Sequence, residues 1–196
     1  MKWGILATGT IAGKFAETVN QMEDTQVLIA CASRTMEKAE AFREKYKMKR
    51  AYDAYEAMMQ DEEVDAIYIA TPNNMHYENC VMCLKAGKHV LCEKPFTVDE
   101  KEAEQLFALA KEKGLFIMEA FWIRFLPALL KMKELIADSV IGDVVWARSD
   151  YGFVAKGARK DRKFDSSLAG GALLDIGIYN LGFMRMVMGD VEPISF

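Results

Sequence analysis

The stretch "KWGILATGTIAGKFAETVN", Lys2 to Asn20, decides the fold. A short apolar run passes through small residues into a segment whose apolar positions have helical spacing. The junction has the form Ala7-x-Gly9-x-x-Ala12, with alanine where dinucleotide-binding turns usually carry their first glycine. Gly9 would let the backbone approach a pyrophosphate, although small residues also serve packing in ordinary loops. The junction therefore predicts a nucleotide site only if it lies in a βαβ unit.

The alternation of strand-like and helical patterns continues beyond this junction. Apolar runs recur at Val27 to Ser33, Asp65 to Thr71, His89 to Glu93 and Leu115 to Phe121, with amphipathic helical patterns between them. Such an alternation predicts βαβ units and a parallel sheet covered on both faces. The sequence therefore predicts an α/β fold of the Rossmann type.

After Phe121 the pattern changes, and we place a domain boundary there. Residues 1–121 are predicted to form an NAD(P)-binding Rossmann domain, and residues 122–196 part of a mixed α/β domain with an open sheet. Ile141 to Phe153 alternates partly and predicts a long strand, while Gly170 to Gly189 is apolar nearly all round and predicts a buried helix.

Composition excludes several classes of protein. A net charge of −4 without a basic stripe argues against a nucleic-acid partner. No apolar run approaches the roughly 20 residues of a membrane span, and no signal peptide opens the chain, so we expect a cytoplasmic protein without a membrane partner. The Cys80–Cys83 pair is a weak metal signal without further ligands, so no metal is predicted.

The end of the second predicted strand bears on cofactor choice. NAD-binding folds usually place an acid there, whereas this chain has Ser33 and Arg34, with Lys38 one helical turn later. An arginine fork and a lysine would pair with a 2′-phosphate, which predicts NADP in preference to NAD. The alternative is an exposed Arg–Lys pair at the start of a helix.

Two further motifs follow strand ends. In "ATPNNMHYE", Pro72 would end the strand and direct Thr71 and Asn73 to the ligand edge of the sheet, and His76 would bond either loop backbone, which we favour, or ligand. In "HVLCEKPF", Lys94 stands where the strand stops. That lysine is either solvated or held at the sheet edge where α/β proteins bind ligands.

These motifs together with "GGALLDIGIY" resemble the glucose–fructose oxidoreductase / inositol dehydrogenase (Gfo/Idh/MocA) family, and within it the dimeric dihydrodiol dehydrogenase and D-xylose dehydrogenase branch. The resemblance implies that Lys94 reaches the nicotinamide and the substrate hydroxyl, with Glu93 and a cis peptide bond before Pro95 shaping the turn. It also implies Tyr179 as the acid/base, its pKa lowered by a nearby cation. Asp175 would orient Tyr179, bind substrate or cap the helix.

The combined prediction is an NADP-dependent oxidoreductase that transfers a hydride between the nicotinamide and the hydroxyl of an aldopyranose or a trans-dihydrodiol. The candidate catalytic residues are Lys94, Tyr179 and Asp175. The candidate cofactor-binding residues are Ala7, Gly9, Thr10, Ile11, Ser33, Arg34, Lys38, Thr71, Pro72, Asn73, His76, Glu93 and Lys94. Trp122, Arg124 and Phe153 are candidates for either a substrate pocket or a core.

Two alternatives stay open at this point. The family resemblance includes regulators that bind the dinucleotide without catalysis, and an inactive remnant would share the same motifs. The resemblance implies a longer chain, so we expect a C-terminal truncation. The stretch "VEPISF", Val191 to Phe196, would open a further strand. A family-type homodimer would be compromised by the loss of the C-terminal sheet.

Overall fold

Six short apolar runs of the first part of the chain form one parallel sheet. The computed structural model describes residues 1–22, 25–154 and 163–189, and it divides the chain into the units Met1–Ala120 and Phe121–Phe196. The strands of the first unit are β1 (Lys2–Leu6), β2 (Val27–Ala32), β3 (Arg50–Tyr52), β4 (Ala66–Ile69), β5 (His89–Cys92) and β6 (Ile117–Glu119). Their order is β3-β2-β1-β4-β5-β6 with every pair parallel, so the predicted Rossmann-type sheet is confirmed.

Five helices connect these strands. They are α1 (Thr10–Val19), α2 (Met36–Tyr46), α3 (Tyr55–Met59), α4 (His76–Lys85) and α5 (Glu100–Lys113). Local sequence sets their ends, as α5 shows: the Asp99 side chain accepts a hydrogen bond from the Glu102 N–H at 2.9 Å, and Gly114 ends the helix at φ 65°. Strand β3 and helix α3 are not among the predicted segments, because runs of three and five residues are too short to show a period.

The core of the first unit has one apolar cluster on each face of the sheet. On one face α4 and α5 cover β4 and β5, with Leu84, Val90 and Leu106 completely or almost completely buried. On the other face α1 and α2 cover β1 and β2 around Ile5 and Phe42. All four cysteines are buried free thiols. The rigid sheet fixes where its carboxyl edge places side chains.

The described residues of the second unit are helical or irregular. They include a 3₁₀ turn at Trp122–Phe125, helix α6 (Pro127–Ala137), a 3₁₀ turn at Ser166–Leu168, a π-helical turn at Leu173–Gly177 and helix α7 (Ile178–Met188). The predicted strand at Ile141 to Phe153 is wrong, since no strand occurs among the described residues after Phe121. A strand requires a neighbour for its N–H and C=O groups, and the described part of this unit offers none.

The prediction of a buried helix at the end of the second unit is also wrong. Leu173 and Leu181 are 67% and 52% exposed, and no described residue of α7 is buried. The segment Ser166–Met188 is long and apolar enough to cross a membrane by length and composition alone, a test that core helices of soluble proteins also pass. The predicted terminal strand at Val191 to Phe196 lies outside the described residues.

Candidate active site

The first βα turn leaves the start of α1 exposed. Ala7 adopts φ 74° and donates its N–H to the Ala32 carbonyl at 3.0 Å, so the chain turns sharply after β1. Gly9 caps α1, and a Cβ built on it would meet no atom within 4 Å. The N–H groups at the start of α1 are thus approachable by a phosphate. Thr10 and Ile11, the first two residues of the helix, are exposed there.

The end of β2 adds a cationic wall beside this turn. Ser33 is buried and accepts a hydrogen bond from the Thr8 hydroxyl at 3.1 Å, while Arg34 and Lys38 are exposed. A cavity of about 260 Å³ opens between this wall and Gly9. Its lining is Ala7, Thr8, Gly9, Ser33, Arg34, Lys38, Tyr55, Ala70, Pro72 and Met75.

Tyr55 is a member of this cavity that sequence reasoning missed. It opens α3, the short helix that the pattern did not reveal. Burial raises the pKa of the Tyr55 phenol, and the positive charge of Arg34 acts in the opposite direction. Both side chains line the cavity, which therefore combines an aromatic ring with a cation.

The loop after β4 is held internally. His76 is completely buried, with Nδ1 2.7 Å from the Pro95 carbonyl oxygen and Nε2 3.0 Å from the Thr71 carbonyl oxygen. The Thr71 hydroxyl accepts a hydrogen bond from the Asn79 amide at 3.0 Å, and Asn73 is almost buried. Of the two predicted interactions of His76, the structure shows the one with loop backbone. This histidine ties the β4 loop to the turn after β5.

That turn carries Lys94. The Lys94–Pro95 peptide bond is cis, as the family resemblance implied. The Glu93 N–H donates to the Ile69 carbonyl at 3.0 Å, and the Lys94 N–H donates to Glu93 Oε2 at 3.3 Å. The turn is thus fixed to the end of β4 and begins at the carboxyl edge of the sheet, where the first βα turn also lies.

The second unit has an aromatic cluster around Tyr179. The ring centroids of Phe121 and Tyr151 lie 5.6 Å and 5.2 Å from that of Tyr179, and the Trp122 indole N–H donates to the Tyr179 hydroxyl at 3.0 Å. Asp175 lies in the π-helical turn that directly precedes α7, the helix that carries Tyr179. π-Helical turns are frequent at functional sites.

The remaining candidates, Arg124 and Phe153, also belong to the second unit. Arg124 follows Trp122 in the 3₁₀ turn, and Phe153 is 53% exposed beneath the Lys163 ammonium, 5.6 Å from the ring centroid. Among the residues that the structure describes, no group of three or more His, Cys, Asp or Glu side chains could hold a metal ion.

A parallel 3-2-1-4-5-6 sheet with a capping glycine and a cationic cavity at its carboxyl edge defines a dinucleotide-binding domain. The model of the Gfo/Idh/MocA oxidoreductase family, described as an NAD-binding Rossmann fold, matches residues 1–121, and that of the Gfo/Idh/MocA C-terminal domain matches residues 129–196. The chain belongs to this family.

Relatives of known activity are similar along the whole chain. Trans-1,2-dihydrobenzene-1,2-diol dehydrogenase is 38% identical over 194 residues in Mus musculus and 37% in Homo sapiens, each match covering 98% of this chain and 58% of the relative. A 3-ketoreductase from Actinomadura kijaniata, solved with TDP-benzene and NADP, is 31% identical with a TM-score of 0.78, covering 96% of this chain and 56% of that one. The chain thus spans under two thirds of the length of these proteins.

Proposed function

We propose that this chain belongs to an NADP-dependent oxidoreductase that transfers a hydride between the nicotinamide and the hydroxyl of an aldopyranose or a trans-dihydrodiol. The observation that carries the proposal is the pairing, at one edge of the sheet, of the Gly9 turn with the Lys94 turn. The first has room for a phosphate, and the second brings a cation to the same edge. The relatives named above act on diols or ketones, which supports the reaction class.

The residues fit an adenine dinucleotide that carries a 2′-phosphate. The open space at Gly9 would admit the pyrophosphate against the start of α1, with Thr10 and Ile11 supplying N–H groups. Arg34 and Lys38 would hold the 2′-phosphate beside the 260 Å³ cavity. An acid at the end of β2 would repel that group, so we propose NADP as the cofactor in preference to NAD.

Bound NADP would supply the hydride acceptor, and the chain's own residues would handle the proton. The Lys94 ammonium would stabilise the negative charge that develops on the substrate oxygen as the hydride leaves carbon. Tyr179 would take the hydroxyl proton, held by Trp122 and the neighbouring rings. Asp175 would orient Tyr179 or bind the substrate. Glu93 and His76 would shape the turn that aims Lys94.

Cofactor titration and a substrate panel test this proposal together. We expect the chain to bind NADPH, and we expect the protein to which it belongs to change NADPH absorbance when trans-dihydrodiols or aldopyranoses are added. Binding without turnover on any sugar or diol would favour the regulator or the inactive remnant. The proposal would be contradicted if neither NADPH nor NADH bound.

A further inference from the structure

The Lys94 turn is held by carboxylates as well as by backbone. Glu93 uses Oε2 to accept the Lys94 N–H at 3.3 Å. Glu119, on the neighbouring strand β6, accepts the Phe96 N–H at 2.9 Å through Oε1. Glu119 cannot be identified from the sequence, because it lies 23 residues after Phe96 in the chain and the contact forms only in the folded sheet. The direction of the Lys94 backbone therefore depends on where these acids are held.

Tyr68 holds the first of these acids. It lies on β4, is 3% exposed, and its hydroxyl donates a hydrogen bond to Oε1 of Glu93. Glu93 thus has one oxygen on the Tyr68 hydroxyl and the other on the Lys94 amide. A carboxylate that is fixed at both oxygens has a defined orientation.

The ring of Tyr68 is itself immobilised. It stacks on Phe15 with ring centroids 3.9 Å apart and planes 14° apart, and Phe15 meets Trp3 edge-on at 5.2 Å. Phe15 belongs to α1, whose first turn we propose to bind the cofactor phosphates. The contacts therefore run from the phosphate-binding helix through Tyr68 and Glu93 to Lys94.

The charges around Glu93 favour a hydrogen bond in which Tyr68 donates to an ionised Glu93. Burial raises the pKa of Glu93, while the hydrogen bonds from Tyr68 and the Lys94 N–H and the charge of Lys94 lower it. Burial and Glu93 together raise the pKa of the Tyr68 phenol, so Tyr68 stays protonated and can donate. The charge of Glu93 also acts on the thiol of Cys92, its neighbour in the chain. Loss of the Tyr68 donor would therefore move Glu93 towards its neutral form.

We infer that Tyr68 is a positioning residue for Lys94, acting through the Glu93 carboxylate. The inference rests on the proposed function, in which Lys94 contacts the reacting hydroxyl. A hydroxyl that only satisfied the core would affect the free energy of unfolding and the ionisation of its partner Glu93 and nothing else. A positioning hydroxyl would also affect the Lys94 backbone and turnover.

The test compares Tyr68→Phe with Tyr52→Phe. The control residue, Tyr52, lies in the same unit but on β3. Its hydroxyl also donates to a carboxylate, Asp61 Oδ2, at 3.1 Å. In protein with ¹³C-labelled glutamate carboxyls and ¹⁵N-labelled amides, NMR follows Glu93 and the Lys94 N–H through a pH titration. The turnover number kcat and the Kd for NADPH are measured on the same variants.

We expect Tyr68→Phe to raise the titration midpoint of Glu93 by about half a pH unit or more and to shift the Lys94 amide signal. In the same variant kcat falls about tenfold, while the Kd for NADPH changes less than about twofold. Adding Tyr68→Phe to Glu93→Gln costs little further turnover, because the hydroxyl acts through that carboxylate. Tyr52→Phe leaves all these quantities as in the wild type.

A Tyr68→Phe protein that is less stable but has the wild-type Lys94 amide signal and kcat would overturn the inference, whatever its Glu93 midpoint. If Tyr68→Phe does not fold, Phe15→Leu replaces it, since it removes the stacked ring that holds the Tyr68 hydroxyl against Glu93. An unchanged Lys94 amide signal and kcat in Phe15→Leu would count equally against the inference. The NMR readout needs no turnover, so a wild type that binds no NADPH contradicts the proposed function separately.

Discussion

The indole nitrogen of Trp122 lies 3.0 Å from the hydroxyl oxygen of Tyr179 and donates a hydrogen bond to it. The Tyr179 ring is flanked by Phe121, with planes 18° apart, and by Tyr151, at 67°. Because the indole donates, the phenol oxygen is a hydrogen-bond acceptor in this contact. Trp122 therefore helps to orient the group that we propose as acid/base, and it would favour a negative charge on that oxygen.

The first prediction concerns this hydrogen bond. Trp122→Phe keeps an aromatic ring and removes the donor, so kcat should fall about two- to tenfold, the loss of one hydrogen bond. The Kd for NADPH should not change, since the contact lies in the second unit. Trp146→Phe is the matched control, because Trp146 is 73% exposed in the same unit. Equal losses in both variants would show that Trp122 has no particular relation to Tyr179 in turnover.

Lys94 and Tyr179 should behave as one catalytic unit. Lys94→Ala and Tyr179→Phe should each remove most of kcat while the Kd for NADPH changes little, and the double variant should be hardly slower than either single variant. Residues that act in one step are non-additive when both are removed. Strictly multiplicative losses would mean independent action, and a fully active Tyr179→Phe would exclude the tyrosine from the mechanism.

Cofactor preference should depend on the end of β2. NADPH should bind at least about tenfold more tightly than NADH, from two charge-assisted contacts worth roughly 1.5–3 kcal/mol each. Arg34→Ala should remove much of this preference by weakening NADPH binding and leaving NADH binding as it was. Fluorescence titration of both reduced cofactors measures this, with NADH as the internal control. Equal affinities in the wild type would contradict the prediction.

Sequence reasoning succeeds where local pattern and tertiary structure agree. The runs around Leu6 and Ile69 are apolar because both faces of the parallel sheet are covered, so the pattern alone shows where these strands end. Once the carboxyl ends are located, the positions of Gly9, Ser33 and Lys94 follow from topology. The roles proposed for Glu93 and Lys94 come from the family resemblance of the "EKP" motif, because hydrophobic periodicity says nothing about catalytic roles.

The same reasoning fails where a structure depends on partners distant in sequence. Strand β3 and the helix that carries Tyr55 could not be predicted, because short elements show no period. The role of Tyr68 could not be predicted either, because its hydroxyl contacts Glu93 only after β4 and β5 have paired. The alternating segment from Ile141 to Phe153 has strand propensity, yet propensity forms no ladder without a neighbouring strand. The side chains of Val145 and Trp146 are accordingly 89% and 73% exposed.

An ion cluster at the edge of the sheet should make the free energy of unfolding depend on pH in the acidic range. Arg50 donates to both oxygens of Asp61 at 2.7 Å and 2.9 Å and to Glu63 at 2.8 Å. Hydrogen bonds from Lys49 and Arg50 lower the pKa of Glu63 from 4.5 to about 2. Burial alone would raise the pKa of Asp61, but its hydrogen bonds from Arg50, the Glu63 N–H and Tyr52 outweigh burial and lower it.

Both carboxyls thus have folded pKa values below their unfolded ones. Their contribution to the free energy of unfolding is complete above about pH 4.5 and is lost as the pH falls towards about 2, because the unfolded chain binds these protons first. Arg50→Gln should flatten this dependence, as urea unfolding at several pH values would show. Burial raises the pKa of Glu93, so Glu93 contributes a pH dependence of the opposite sign. That contribution is the same in both proteins and cancels when the free energies of unfolding of wild type and Arg50→Gln are subtracted at each pH. Arg43→Gln, which removes the pairs with Glu40 and Glu44 on α2, is the control.

The last prediction concerns Ala7, where this chain departs from the glycine usual in dinucleotide-binding turns. Ala7 adopts φ 74°, a left-handed conformation that costs an L-residue roughly 1–2 kcal/mol. Glycine relieves that strain but loses about 0.4–1 kcal/mol through the greater freedom of its unfolded state. Ala7→Gly should therefore raise the free energy of unfolding by about 0.5–1 kcal/mol, measured by urea denaturation.

Ala12→Gly is the matched control for this change. Ala12 is completely buried within α1, so the same substitution there should lower the free energy of unfolding by about 1 kcal/mol or more through helix propensity and lost packing. Opposite signs at two alanines five residues apart would show that backbone conformation decides the effect of glycine in this turn. A destabilised Ala7→Gly would instead mean that the Ala7 methyl contributes more to the turn than its strained backbone costs.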